Sequence, residues 1–321
     1  AIDYLCNERV GSWKNHMWTV ADVGDDNLHM NDAQKVAEQV SQSAGEHFLL
    51  RRIYPDAYVM TQEAKGGTYP EATQKLKMAM QRGALIFNYN GHGSPDRISH
   101  KFLLNKEEMS ENKSDARPVW IFASCEITPY DQVCADIGRN ALFCADGPAI
   151  AVLCAARSVY ANYNRSLNMG FVHYAFSSNQ EGKENTLGDA LRLTKCELLK
   201  NTEVSIGTDQ TINKLKYVLL GDPALTLAYP RKGLVIDSLN GEPVTAGAVQ
   251  ALPIGSKATF SGYVSVSGQT GVPDEHFNGE LTATVFAPLQ SITCKGQGNT
   301  KASPLVYTDY TKTVFEGKVR V

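Results

Sequence analysis

Apolar positions along this chain follow two rhythms. Up to about residue 230, short unbroken apolar runs alternate with stretches in which apolar residues recur every three or four positions. An unbroken run closed by glycine or proline reads as a strand buried on both faces. The three-to-four spacing reads as a helix with one apolar side. The predicted strands are His16–Ala21, Phe48–Ile53, the run that opens at Ala84 and leads to His92, Pro118–Ser124, Pro148–Ala155 and a short Leu225–Ala228. Helices are predicted between them. One covers Ala33–Ser43, capped by Asn31-Asp32 and ended by Gly45. Another starts at Thr68 or Tyr69 with Pro70 in its first turn and closes at Gly83. Further helices are predicted near Asp131–Cys144, through Phe171, Tyr174 and Phe176, over Thr186–Lys200 and, shorter, over Thr211–Leu220. Strand alternating with helix predicts an α/β domain around a mostly parallel sheet, spanning residues 17–230. Residues 1–16 read as the tail of a preceding segment.

The rhythm changes at Pro230-Arg231-Lys232-Gly233. Beyond it apolar and polar residues alternate, and turn residues recur about every ten positions. Thr259–Val266, Leu281–Phe286 and Thr313–Val319 read as strands of an immunoglobulin-like β-sandwich over 231–321. The chain stops at Val321, within a predicted strand, and starts at Ala1 rather than a methionine, so a processed product or an excised fragment is expected. No apolar run approaches the roughly 18 residues of a membrane helix. A formal net charge of −3 gives no reason to expect a nucleic acid as partner. Seven scattered cysteines with no Cys-x-x-Cys pair speak against a zinc site, and no metal ligand set is expected. Cys144, Cys154 and Cys196 read as small buried apolar residues.

Two of the apolar runs end on chemistry. The first stops at Gly91-His92-Gly93, the second at Ser124-Cys125. The 33 residues from His92 to Cys125 suffice for one crossover between adjacent parallel strands. Both side chains would then stand at the carboxyl edge of the sheet, where ligands collect in open α/β folds. A cysteine nucleophile needs an imidazole to take its proton, and the developing oxyanion needs preorganised donors. The backbone N–H groups of Gly93 and Cys125 are the candidates for that role. Spacing and strand ends alone leave a turn histidine and an unrelated buried cysteine as the other reading. His29, His100 and His173 lack partner motifs and read as structural.

Asn-Tyr-Asn-Gly-His-Gly-Ser at 88–94 and Ala-Ser-Cys-Glu at 123–126 resemble the gingipain family of cysteine peptidases. The resemblance covers roughly residues 15–230. It implies a caspase-like fold, with the catalytic histidine preceding the cysteine at the ends of two adjacent strands. Asp25–Asp32 and Leu220–Pro223 resemble more narrowly the sortase branch of that family, which serves the bacterial type IX secretion system. That resemblance implies removal of C-terminal sorting domains from secreted cargo proteins. Cys125 would hold the cargo as a thioester and pass it to an amine on an anionic lipopolysaccharide. His92 would protonate the leaving amine and later deprotonate the acceptor. The implied location is the extracellular face of the bacterial outer membrane, with a PorV-type outer-membrane protein as partner and no required cofactor. A gingipain-like endopeptidase that only hydrolyses, or a non-catalytic secretion scaffold, are the rival expectations.

In such a fold Asp22 ends the strand beside that of His92 and is the candidate to orient the imidazole; an ordinary turn aspartate is the alternative. Asp25, Asp26 and Asn27 cluster the oxygen ligands that a structural calcium would accept, without EF-hand spacing. Tyr160 and Asn162 follow the last central strand and are candidates for the substrate pocket, or for loop packing. No acid for a basic-residue pocket stands out.

Overall fold

The computed structural model describes the chain apart from residues 1–3, 5–10, 45–47, 65, 115, 145–147, 201–210, 231, 246–251, 254, 267–268, 270 and 298–300. Gly45 and Cys6 therefore lie outside the described residues. Six strands form the central sheet: β1 (His16–Ala21), β2 (Leu49–Ile53), β3 (Ile86–Asn90), β4 (Val119–Ala123), β5 (Ala151–Ala155) and β6 (Tyr217–Gly221). Their spatial order is β6-β5-β4-β3-β1-β2. The first five are parallel, and β6 closes one edge antiparallel to β5.

β3, β4 and β5 are buried along their whole length, as the apolar runs of β4 and β5 and the apolar start of β3 require. Helices cover both faces. α2 (Pro70–Arg82) and α4 (Ile137–Phe143) set Leu76, Met80, Ile137 and Ala141 against Phe87, Trp120 and Phe122, whose rings stack at 4.7 and 5.0 Å. α1 (Leu28–Ala44), α5 (Ala161–Ala175) and α6 (Leu187–Lys200) pack together on the other side. On that side β3 carries two buried asparagines, which an apolar strand would not predict. Asn88 exchanges amide hydrogen bonds with Asn168 of α5 at 2.7 and 2.9 Å, and Asn90 accepts from Asn168 at 3.1 Å and donates to Asn88 at 2.8 Å, so each buried amide finds a partner.

Three local expectations are corrected. Residues 211–220 are not a helix. A 3-10 turn over Asn213–Lys216 leads into β6, because the aromatic and β-branched Tyr217-Val218 start pairs with the otherwise open edge of β5. Leu225–Ala228 is not a strand. Leu225 and Leu227 are buried in an extended segment whose Leu225 carbonyl accepts from Leu187 N–H. The helix expected near Asp131–Cys144 begins only at Ile137, where Asp136 caps it by accepting from Arg139 N–H. A short helix missed in the sequence, α3 (Lys106–Glu111), is nucleated by a reciprocal capping box between Asn105 and Glu108.

The chain forms two compact units: residues 1–228 with 286–313, and residues 229–285 with 314–321. The second contains an antiparallel sheet of Leu234–Leu239, Glu242–Pro243 and Phe260–Val264, and the strand pair Glu280–Phe286 with Thr313–Arg320. These small sheets suit a β-sandwich. The expected 231–321 block is nevertheless divided, since 286–313 belongs to the first unit. There Gln290–Thr293 and Val306–Asp309 form a hairpin anchored by polar contacts. Asp56, buried, accepts from the N–H groups of Gly296 and Gln297 at 2.7 Å. Arg51 pairs with Asp309 at 3.1 Å, and Tyr54 meets Tyr307 edge to face. Alternation in sequence predicts a strand but not the surface it joins.

Candidate active site

The carboxyl ends of three neighbouring strands lie level. Ala21 of β1 pairs with Asn90 of β3, and Asn90 pairs with Ala123 of β4. The next residues are Asp22, Gly91-His92 and Ser124-Cys125, so the sheet itself brings the predicted pair to one edge. The ladder continues one step into these loops. Asp22 N–H donates to Asn90 O at 2.9 Å, and Gly91 N–H donates to Ala123 O at 3.3 Å. Glycine is required at 93. A side chain there would collide with the Ser124 hydroxyl and Ile127, and would press on the Cys125 carbonyl at 3.2 Å. The loop of His92 therefore lies directly on the loop of Cys125.

His92 is held from several directions. Its carbonyl accepts from the Tyr89 hydroxyl at 2.7 Å and from Ser99 N–H at 2.9 Å. Its N–H donates to Asp22 Oδ2 at 3.3 Å. Asp22, 1% exposed, also accepts from Val23 N–H at 2.9 Å and from the Ser99 hydroxyl at 2.5 Å. Asp22 thus fixes the main chain of His92. The carboxylate that meets the ring belongs to Asp25, whose Oδ2 lies 2.6 Å from His92 Nε2. That contact leaves Nδ1 as the nitrogen for proton exchange with a thiol. Burial pushes the Asp25 carboxyl up, but the hydrogen bond and charge of His92, with the charge of His29, outweigh it and hold the carboxyl below its ordinary range.

Asp25 reaches the ring through unusual backbone. Asp25, Asp26 and Asn27 all have positive φ, at 47°, 51° and 65°. Their side chains diverge. Asp26 accepts from Lys301 N–H and Asn27 donates to Ser303 O, both at 2.8 Å, so the three proposed calcium ligands face three different partners. His29 and His100, read as structural from sequence, both flank the site. Their rings lie 5.0 and 4.3 Å from that of His92. Burial and the charge of His92 lower the pKa of His29. A lone histidine four residues after an aspartate gives no cue that a left-handed turn, rather than a helical step, brings the two side chains to 3.2 Å.

Cys125 has fewer constraints. Its half-buried Sγ lies 3.4 Å from both the N–H and the carbonyl of Val159. Among the described residues the N–H groups of Gly93 and Cys125 donate to no other group, which leaves both for an oxyanion. Glu126 follows with φ 49° and accepts from the Ser158 hydroxyl at 2.8 Å. Tyr160 is 63% exposed, and Asn162 is exposed at the start of α5. The expectation that Cys144, Cys154 and Cys196 are buried holds only in part. Cys154 is buried, its pKa raised to about 12 by desolvation, whereas Cys144 and Cys196 are half-buried.

Comparison with known proteins adds the following. A sequence model of peptidase family C25 matches residues 1–228. No curated protein matches the chain. The crystal structure of the Arg-specific cysteine proteinase gingipain R (RGPB) superposes with TM-score 0.50 at 12% identity, covering 94% of this chain and 62% of that one. A structure described as a protease gives TM-score 0.54 at 14% identity, covering 97% and 70%. These likenesses show the fold, and the chain spans 62% of the length of that gingipain. Dimeric latent PorU from Porphyromonas gingivalis aligns at 22% identity over 55% of this chain and 16% of that one, with TM-score 0.25, too low to support any structural argument.

Proposed function

The chain belongs to peptidase family C25, and on that premise we propose that Cys125 is the nucleophile and His92 the general acid and base of a cysteine peptidase. The carrying observation is the level ending of β3 and β4, with Gly93 lying against the Ser124 hydroxyl and the Cys125 carbonyl. In this reading His92 Nδ1 takes the thiol proton as Cys125 Sγ bonds to the peptide carbonyl carbon. The N–H groups of Gly93 and Cys125 receive the oxyanion. Collapse of the tetrahedral intermediate breaks the C–N bond, His92 returns the proton to the leaving amine, and a thioester remains. Asp25 stabilises the imidazolium between those two transfers.

We further propose that the thioester is resolved by an amine. The sortase-like stretches Asp25–Asp32 and Leu220–Pro223 support this step. The substrates would be secreted cargo proteins with C-terminal sorting domains and the acceptor an anionic lipopolysaccharide, at the outer face of the outer membrane beside a PorV-type protein. Transfer outruns hydrolysis only where the acceptor is held in line with the thioester. The test is the product ratio, by mass spectrometry, from cargo incubated with a small amine or a lipopolysaccharide fragment. The expected result is an amide product that needs Cys125. Free acid alone at saturating acceptor, from a protein with all its native domains, would leave the endopeptidase and remove the sortase.

A further inference from the structure

Among the described residues, Asp25, His29 and His92 are the one group of three His, Cys or acidic side chains whose ligand atoms lie close enough to share an ion, within 4.8 Å of one another. Asp25 Oδ2 sits 2.6 Å from His92 Nε2 and 3.2 Å from His29 Nε2. Ligands bonded to tetrahedral zinc at about 2.0–2.1 Å stand about 3.3 Å apart. The His29 pair is already at that spacing, and the His92 pair would open by about 0.7 Å to reach it.

A second observation points the same way. His29 is 6% exposed, and its buried Nε2 makes no aligned hydrogen bond; its one close polar neighbour is Asp25 Oδ2 at 3.2 Å. Buried polar atoms are normally paired. This one lies 3.2 Å from Asp25 Oδ2 as an ion pair without an aligned hydrogen bond, a ligand atom aimed into the cluster from the first turn of α1. On the other side His92 and Asp25 are 38% and 50% exposed, so an ion can arrive from solvent. Two imidazoles and one carboxylate with an open fourth position suit zinc, and two nitrogen donors disfavour calcium and magnesium.

We propose that Asp25, His29 and His92 form a transition-metal site whose occupation by zinc silences the peptidase. A neutral imidazole bound to metal through Nε2 carries its proton on Nδ1. It then has no lone pair with which to take the proton of Cys125, and Asp25 is withdrawn from the ring at the same time. The site stands on geometry alone. Its effect on activity rests on the reading of His92 as the base.

The experiment separates the two. The whole chain carrying Cys125→Ala is titrated with zinc by calorimetry and with cobalt(II) by visible absorption, which needs no turnover. One ion per chain is expected, with tetrahedral cobalt bands. Adding His29→Gln, or Asp25→Asn should the first fail to fold, is expected to weaken binding at least about 10-fold. In the chain with Cys125 intact, zinc is expected to inhibit reversibly, and His29→Gln to raise the inhibiting concentration by the same factor. Loss of zinc binding in Cys125→Ala would mean that the thiol is the ligand and would overturn the assigned set. Unchanged affinity in both His29→Gln and Asp25→Asn would do the same. Binding as assigned without inhibition would overturn the silencing and count against His92 as base.

Discussion

The two halves of the site are built differently. On the His92 side, Asp22 gathers three donors, Tyr89 and Ser99 hold the His92 carbonyl, and Asp25 meets the ring. On the Cys125 side the thiol's polar contacts among the described residues are to the main chain of Val159, and Tyr130 and Val133 shortly after it, with Tyr160 next to Val159, stand exposed. In the proposed mechanism the difference matches the two tasks. A proton carrier must keep one geometry through acylation and its reversal, and that calls for a dense polar lattice. A nucleophile must admit a peptide from solvent, and its walls are completed by the substrate.

The strongest way to break this comparison is to remove each member. Cys125→Ala is expected to lower turnover at least about 10³-fold, and His92→Ala nearly as much. The double variant is expected to be no worse than either, because the two act as one unit. Additive losses in single-turnover kinetics would mean that the pair does not share a step.

Next come the two carboxylates. Asp25→Asn is expected to cut kcat/KM about 10²-fold with little change in Tm, because the side chain is half exposed and acts on the ring. Asp22→Asn is expected to cost about 1–3 kcal/mol of stability, since an amide nitrogen would replace an acceptor that serves buried donors. Thermal melts and kinetics on both variants test this split. A stable, slow Asp22→Asn beside an unfolded Asp25→Asn would exchange their roles.

This pair also marks how far the sequence could be read. The strands of His92 and Cys125 were legible because an unbroken apolar run closed by glycine or a polar residue has few other uses. The level of their ends follows from adjacent parallel pairing. Asp22 was legible as a strand-end acid, yet its contact with His92 is through the main chain. Asp25 was not legible, because three successive left-handed residues fold an acidic loop back onto the ring, and no pattern of side chains encodes that turn. The turn is held in part by Lys301 and Ser303 of the 286–313 hairpin, some 275 residues away. Local pattern carries no information on a contact of that range.

Acid is expected to weaken the first unit through β1, which leads into Asp22. Burial, with the charges of Arg51 and Arg82, lowers the pKa of His16 from 6.5 to about 4, and His29 is shifted in the same direction. The unfolded chain therefore binds these protons first as pH falls. Stability is full above about 6.5 and declines toward about 4, by roughly 1–3 kcal/mol from His16. Denaturant melts of His16→Gln across that window are expected to show a shallower slope. An unchanged slope would place the acid sensitivity elsewhere.

The smallest effect is expected on the open side, at Tyr160. Its N–H is fixed by Asn213 Oδ1 at 2.7 Å, and it follows directly on Val159, whose main chain meets Cys125 Sγ. Tyr160 is nevertheless 63% exposed, with the Lys216 ammonium 5.9 Å from its ring centroid. A fixed backbone carrying a free aromatic ring beside the nucleophile gives a substrate a rigid apolar surface to cover. Covering part of such a ring is worth about 1 kcal/mol, so Tyr160→Ala is expected to raise KM about 3- to 10-fold. Because that contact forms equally in the ground and transition states, kcat should stay unchanged, and Tyr160→Phe should behave like the parent. A fall in kcat at constant KM would instead show that Tyr160 holds Val159 against the thiol. The nucleophile side would then be as tightly organised as the base side, and the contrast between them would be lost.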